Sequence, residues 1–187
     1  MKKQIPHCRP RRIAALLLAA VFCAAMLFSA CAAPAANGGA TPAPEGSGHS
    51  CTLLIECAKI RENIDDLDPE KLELLPDDDM IIAKCTVSFT DGESVYDLLV
   101  RETKARKIHM EASYTPVYDS AYIEGIGNLY EFDCGEGSGW TYSVNGIFPN
   151  YGCSKYLIHD GDAIEWHYTC DYGRDVGALF DTADAGH

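Results

Sequence analysis

Residues 81–107 read Ile81-Ile-Ala-Lys-Cys-Thr-Val-Ser-Phe-Thr-Asp-Gly-Glu-Ser-Val-Tyr-Asp-Leu-Leu-Val-Arg-Glu-Thr-Lys-Ala-Arg-Lys107, and a change of period inside them decides the fold. Through Thr90 the apolar positions Val87 and Phe89 alternate with Thr86 and Ser88, the two-residue period of a strand with one face buried. Asp91-Gly92 then turns the chain. Ser94 with Asp97 forms a capping box, Val95, Leu98 and Leu99 share one helical face, and Lys104, Arg106 and Lys107 sit where a helix C-terminus favours cations. The spacing predicts a strand followed by one helix of about three turns.

Working outward, Cys51-Thr-Leu-Leu-Ile-Glu-Cys57 is a short apolar run of the kind that forms a buried strand. Ile60, Ile64 and Leu67 then fall at helical spacing, and Asp68-Pro69 starts a second short helix through Leu72 to Leu75, stopped by Pro76. These make a helical insertion within the first hairpin. Beyond the main helix the chain becomes aromatic: all ten tyrosines and both tryptophans lie between Tyr96 and Tyr172. Trp140, Tyr142 and Val144 alternate with Thr141, Ser143 and Asn145, and Asn145-Gly146 is a hairpin-turn dipeptide. Tyr156 to Ile158, the turn Asp160-Gly161-Asp162, and Ile164, Trp166 and Tyr168 predict a second hairpin. The order predicts an α+β fold: a small mixed sheet, first and last strands central, with one main helix on one face.

Of the 187 residues 47% are hydrophobic and 23% charged, the balance of a globular domain with appendages. Lys2, Lys3, Arg9, Arg11 and Arg12 precede residue 31, where no acidic residue occurs, so the rest carries 28 acidic against 10 basic groups. That excess repels phosphates and excludes nucleic acid as a partner. Residues 1–30 read as an export signal, a basic stretch followed by the apolar run Ile13 to Phe28. Leu27-Phe28-Ser29-Ala30-Cys31 resembles a bacterial lipobox, which implies cleavage before Cys31 and lipid on its thiol. A single transmembrane helix is the competing reading of the same run. Residues 31–50 are rich in Ala, Pro and Gly and predict a tether, residues 51–177 the folded domain, and residues 178–187 a frayed tail. The expected location is the outer face of the cell membrane, or an outer membrane in a host with two.

With Cys8 and Cys23 in the signal and Cys31 lipidated, Cys51, Cys57, Cys85, Cys134, Cys153 and Cys170 remain. An even number on an exported chain predicts up to three disulfides. Equal counts outward from Cys57 and Cys85 align Ile55 with Val87 and Leu53 with Phe89, which favours that pairing. Cys134 with Cys170 is the next choice, and Cys51 with Cys153 follows by elimination. The six contain no Cys-x-x-Cys pair and no His at ligand spacing, so no metal site is expected.

Three stretches, Thr90 to Leu99, Gly139-Trp-Thr-Tyr-Ser-Val-Asn-Gly146 and Asp160-Gly-Asp-Ala-Ile-Glu-Trp-His-Tyr168, together resemble the transcobalamin-like C-terminal domain family. The resemblance spans Cys51 to Cys170 and implies a β-grasp-like fold that binds a soluble ligand. In animal cobalamin carriers a domain of this type covers one side of the corrinoid and a large helical domain holds the other. A second binding subunit or a second copy is therefore expected to supply the other wall here, and delivery to a membrane transporter is the expected use.

Trp140 and Tyr142, directly after Gly135-Glu-Gly-Ser-Gly139, are candidate stacking contacts for a flat ligand, with a core role as the alternative. Phe148-Pro149-Asn150-Tyr151-Gly152 is the stronger candidate for a binding loop, giving Phe148, Asn150 and Tyr151 as contacts. There is no His-Glu-x-x-His, no P-loop, no dinucleotide glycine fingerprint and no Gly-x-Ser-x-Gly. Ser138, His109, His159 and His167 are scattered, so the expectation is a binding protein with no cofactor, cobalamin being a ligand. A surface module contacting another protein is the alternative. The acidic groups around Asp65 to Asp68 and Asp77 to Asp79 fit no EF-hand spacing and read as a solvated face.

Overall fold

The computed structural model describes Gly48 to Ala178 apart from Tyr118. The export signal, Cys31, most of the tether and the tail beyond Ala178 lie outside the described residues. Among the described residues no helix is long and apolar enough to cross a membrane.

The fold is α+β. Strands β1 (Ser50–Glu56), β2 (Met80–Ser88), β6 (Gly139–Val144) and β7 (Ala163–Thr169) form a four-stranded sheet in the order β2-β1-β7-β6. The first and last strands are the central pair and run parallel, while both outer pairings are antiparallel. Cys51, Leu53 and Ile55 of β1 and Ile164, Trp166 and Tyr168 of β7 are buried on one face, as the two-residue period requires. Helix α2 (Val95–Arg106) buries Val95, Leu98 and Leu99 in the same core cluster. Each such side chain contributes roughly 1.5–3 kcal/mol. The predicted capping box is present: the Ser94 hydroxyl accepts from Asp97 N and the Asp97 carboxylate accepts from Ser94 N. Glu102, 6% exposed on this helix, receives Arg101 and Arg106, which offsets the cost of burying its charge.

The hairpin insertion consists of α1 (Lys59–Glu62), a single turn, and two 3-10 segments, Ile64–Asp66 and Pro69–Leu74. The Asp68 carboxylate accepts from Glu70 N, the expected cap. The insertion shifts the β1–β2 register from the expected one. The hairpin closes at Glu56 opposite Met80, so Leu53 faces Cys85 and Cys51 faces Val87. Cys57 N donates to Asp79 O, and Asp79 takes a left-handed turn (φ 63) that starts β2 before the counted alignment allows. Cys57 consequently packs in a second cluster with Ile60, Leu67, Leu129, Cys134 and Tyr168, whereas Cys85 packs against the main core. The geometric case for pairing them is lost.

Two further differences concern strands. A second sheet, β3 (Met110–Thr115), β4 (Ser120–Ile126) and β5 (Leu129–Tyr130), stands beside the expected one and adds Ile123 and Ile126 to the main core. In its outer strand β3 Met110, Ala112 and Tyr114 alternate with Glu111, Ser113 and Thr115, a short two-residue period that the sequence reading did not use, and no residue of it is fully buried. Tyr156 to Ile158 forms no strand; one isolated bridge, Leu157 to Ser94, is all that pairs there. At the other end Ala178, assigned to the tail, is 1% exposed and donates its N–H to Gly173 O.

Candidate functional site

The connection from Val144 to Ala163 crosses the N-terminal end of α2 and is held from several sides. It leaves β6 through the expected two-residue turn, with Asn145 (φ 54) and Gly146 (φ 76) both left-handed and Val144 and Ile147 exchanging backbone hydrogen bonds. The Asn145 side chain then bridges backward: its Nδ2 donates to Asp162 Oδ1 at 2.8 Å and its Oδ1 accepts from Ala163 N at 2.9 Å. Asp162, 7% exposed, also accepts from His159 N. Tyr96 N donates to Cys153 O, Val95 N to Tyr156 O, and Ile158 N to Glu93 O, so the connection is laced to the start of the helix. Gly152 permits the approach to β4: a Cβ there would meet Ser120 Oγ at 1.8 Å. Ser154 completes that contact, hydrogen-bonding Ser120 Oγ at 2.8 Å and accepting from Ala121 N.

This rigid connection presents aromatic rings. Tyr151, 47% exposed, stacks on Tyr156 with centroids 6.1 Å apart and planes at 12°. Tyr156 meets His159 edge-on at 6.4 Å. Asn150 is exposed beside Tyr151, and Ile147 and Leu157 are 70% and 53% exposed. Phe148 is half-buried with its ring 5.6 Å from that of His167. The three residues expected in a binding loop, Phe148, Asn150 and Tyr151, thus share one surface connection. Tyr156 and His159, which sequence reading assigned to a strand and to scattered histidines, join Tyr151; the signal available was two tyrosines in a turn-rich, Gly-interrupted stretch.

Trp140 and Tyr142 are placed elsewhere. Tyr142 is 7% exposed, packs on Trp166 at 5.4 Å, and donates its hydroxyl to Tyr151 O at 2.8 Å. Burial raises its phenol above the ordinary range, so the hydroxyl stays a donor. Trp140 is half-buried, edge-on to Tyr168 at 5.2 Å, with Nε1 donating to Leu129 O. Both pack against the core, Tyr142 with its ring buried and Trp140 with its ring edge-on to Tyr168. Tyr142 instead supports the shelf from beneath.

Beside the shelf lies an open groove of about 430 Å³ lined by Thr90, Asp91, Gly92, Glu93, Asp97 and Arg101. Glu93 links the two features, its backbone oxygen holding Ile158 and its carboxylate accepting from Arg101 Nε and Thr90 N, both at 2.9 Å. Its charged groups are acidic apart from Arg101, whose guanidinium also donates to Ser88 O.

On the sheet face away from α2, Ser143 Oγ lies 3.3 Å from His167 Nε2, and His167 Nδ1 lies 2.7 Å from Glu56 Oε1. The residue types are those of a hydrolytic triad. Ser143 is 1% exposed and sits within a paired strand opposite Glu165, so the arrangement ties β1, β7 and β6 together. Burial alone would raise the Glu56 carboxyl; the His167 hydrogen bond and the Ala58 N–H outweigh it and hold it below the usual value. Among the described residues no three His, Cys, Asp or Glu side chains gather as a metal site would require.

Residues 92–170 match a family described as a domain of unknown function, DUF4430. Among solved structures the chain is similar to a "putative metal binding protein" from Ruminococcus gnavus ATCC 29149, at 16% identity and a TM-score of 0.40, covering 65% of this chain and 96% of that one. It is also similar to haptocorrin in complex with Cbi, at 12% identity and a TM-score of 0.44, covering 66% of this chain. The chain spans about a quarter (26%) of the haptocorrin length. The curated proteins contain no match.

Proposed function

We propose that this chain is an extracytoplasmic binding protein, held at a membrane by lipid on Cys31, whose shelf at Tyr151 and Tyr156 takes one face of a flat soluble ligand. The motif resemblance makes a corrinoid of the cobalamin type the first ligand to test. The observation that carries the reading is the exposed Tyr151 ring, backed in a parallel stack by half-buried Tyr156, on a connection pinned to the helix start, to Ser120 and to Asp162. Such a surface meets a planar ligand with little ordering cost, because its backbone is already fixed. The shelf and its groove are open, so a partner subunit would close the site and a transporter would receive the ligand.

Calorimetric titration of the full chain with cobalamin is the direct test. Binding is expected, and Tyr151→Ala should weaken it about tenfold, the order of one aromatic contact. No heat of binding at about 1 mM ligand, the range of roughly −4 kcal/mol, would remove corrinoids from the reading. Mass spectrometry of the mature N-terminus checks the anchor: a diacylated Cys31 is expected, and an unmodified residue preceding it contradicts the proposal.

A further inference from the structure

The loop Asp133 to Ser138 folds directly onto the end of β7. Tyr172 N donates to Gly137 O at 2.8 Å, Tyr168 Oη donates to Ser138 Oγ at 3.1 Å, and Ser138 Oγ accepts from Cys134 N. A Cβ at Gly137 would lie 3.1 Å from Cys170 O, so the two backbones touch there. Cys134, 2% exposed, belongs to the smaller core cluster, and half-buried Cys170 packs against that cluster. The two side chains thus meet at one cluster, where Cys134 Sγ also reaches Asn63 O at 3.4 Å.

Cys57 shares the smaller cluster with Cys134, but its thiol and the other three are engaged elsewhere. Cys57 Sγ donates to Asp79 O, Cys153 Sγ reaches Ala121 O, Cys85 Sγ accepts from Arg106, and Cys51 lies on β1 opposite Val87. All six are thiols in this structure. We propose that Cys134 and Cys170 are the redox-active pair of the domain, joined in an oxidising compartment into the single bridge among its six cysteines. The expected scaffold of three bridges reduces to one.

The step needs a disulfide oxidant, and a small-molecule disulfide such as oxidised glutathione suffices. The more accessible Cys170 attacks as thiolate, its proton passing to the departing thiolate of the oxidant, to give a mixed disulfide. Cys134 sulfur then displaces the second thiol from Cys170, leaving one protein disulfide and two reduced small thiols. Burial raises both protein thiols above the ordinary range, Cys170 the further, so thiolate is scarce once the domain has closed. Bridging is therefore fastest while the domain folds, and in the finished domain half-buried Cys170 is the sulfur that a reductant reaches.

The bridge would close a covalent loop containing β6, the aromatic shelf and β7. It would also pin two turns that bulky residues rarely adopt: Phe132 (φ 69) and Tyr172 (φ 48) each stand two positions outside the pair, in left-handed backbone. The inference is independent of which ligand the shelf takes.

The test is a non-reducing peptide map, after alkylation, of the full chain refolded with oxidised glutathione. A Cys134–Cys170 cross-linked peptide with alkylated Cys51, Cys57, Cys85 and Cys153 is expected; another pairing, or six alkylated cysteines, overturns the proposal. A second readout guards against a failure to refold. Reductant should lower the Tm of the natively exported protein by about 10 °C, the shift expected for a bridge closing a loop of this length. The same reductant should leave Cys170→Ala unshifted. An unchanged Tm in the native protein, or an equal fall in the variant, overturns it as well.

Discussion

Two aromatic pairs stand at opposite ends of the same strand system and differ in almost every respect. Trp140 and Tyr168 meet edge-on inside the smaller cluster, with the indole N–H on Leu129 O and the phenol on Tyr130 O and Ser138 Oγ. Tyr151 and Tyr156 lie parallel at the surface, on a connection whose hydrogen bonds to the rest of the domain come from backbone and from neighbouring Asn, Ser and Asp side chains. The first pair uses its polar atoms to satisfy a buried environment. The second leaves the Tyr151 ring exposed, with half-buried Tyr156 behind it, because other groups do the holding. Aromatic content alone therefore does not mark a binding surface; what marks it is which atoms anchor the ring.

The largest expected effect separates the pairs by stability. Trp140→Ala removes a large inward-facing, half-buried side chain and the indole N–H that Leu129 O accepts, so it should cost about 2–4 kcal/mol. Denaturant titration reads this directly. A loss below about 1 kcal/mol would mean that Trp140 is not part of the core and would return it to the list of ligand contacts.

That distinction was only half legible in the sequence. The alternation of Trp140, Tyr142 and Val144 and of Ile164, Trp166 and Tyr168 places these residues on strands and on a common face, and the central parallel pairing of first and last strands follows from element order. Which face is inward depends on what packs above it, and α2 closes that face through Val95, Leu98 and Leu99, whose period is equally readable. Of the shelf, Tyr151 was picked out in the sequence together with Phe148 and Asn150 because those residues break every period, although the Phe148 ring turns to His167. Tyr156 was not, since its pairing with Tyr151 depends on Gly152 letting the connection approach Ser120, a tertiary contact with no local signature. The β1–β2 register failed for a related reason: the turn at Asp79 is set by the inserted helical segments and by Cys57 N reaching Asp79 O, whereas residue counting assumes that both arms begin at the cysteines.

Gly152→Ala sharpens the comparison from the other side. The added methyl meets Ser120 Oγ and Cβ within 2.3 Å, so the connection must move away from β4 or the strand must give. Overpacking of this kind costs about 1–3 kcal/mol. Because the shelf is held at this point, the displacement should weaken ligand binding as well as lower the unfolding midpoint. Ser120→Gly in the same chain removes both clashing atoms and should restore much of each. Restored stability without restored binding would break the link between the Gly152 contact and the geometry of the rings.

Tyr142→Phe gives the smallest and most specific effect, because Tyr142 belongs to both regions: its ring packs on Trp166 in the core and its hydroxyl holds Tyr151 O from below. Phenylalanine keeps the packing and deletes one neutral hydrogen bond, a loss of about 1 kcal/mol, and exposed Tyr151 can give its carbonyl to water. The pH dependence carries a second signature. Burial raises the Tyr142 phenol in the folded state above its unfolded value near 10, so its contribution is complete below about pH 10 and is lost as pH rises further. The variant should therefore lose less stability above pH 10 than the parent, the remaining alkaline loss coming from the other groups that burial raises in the same way, Tyr168 and Tyr122 and the thiols of Cys51, Cys57 and Cys153 among them. If the shelf owes its position to this hydroxyl, affinity falls further than one exposed hydrogen bond would explain; if affinity is unchanged while the alkaline limb flattens, the backbone bonds from Val95, Tyr96 and Ile158 hold the shelf without it.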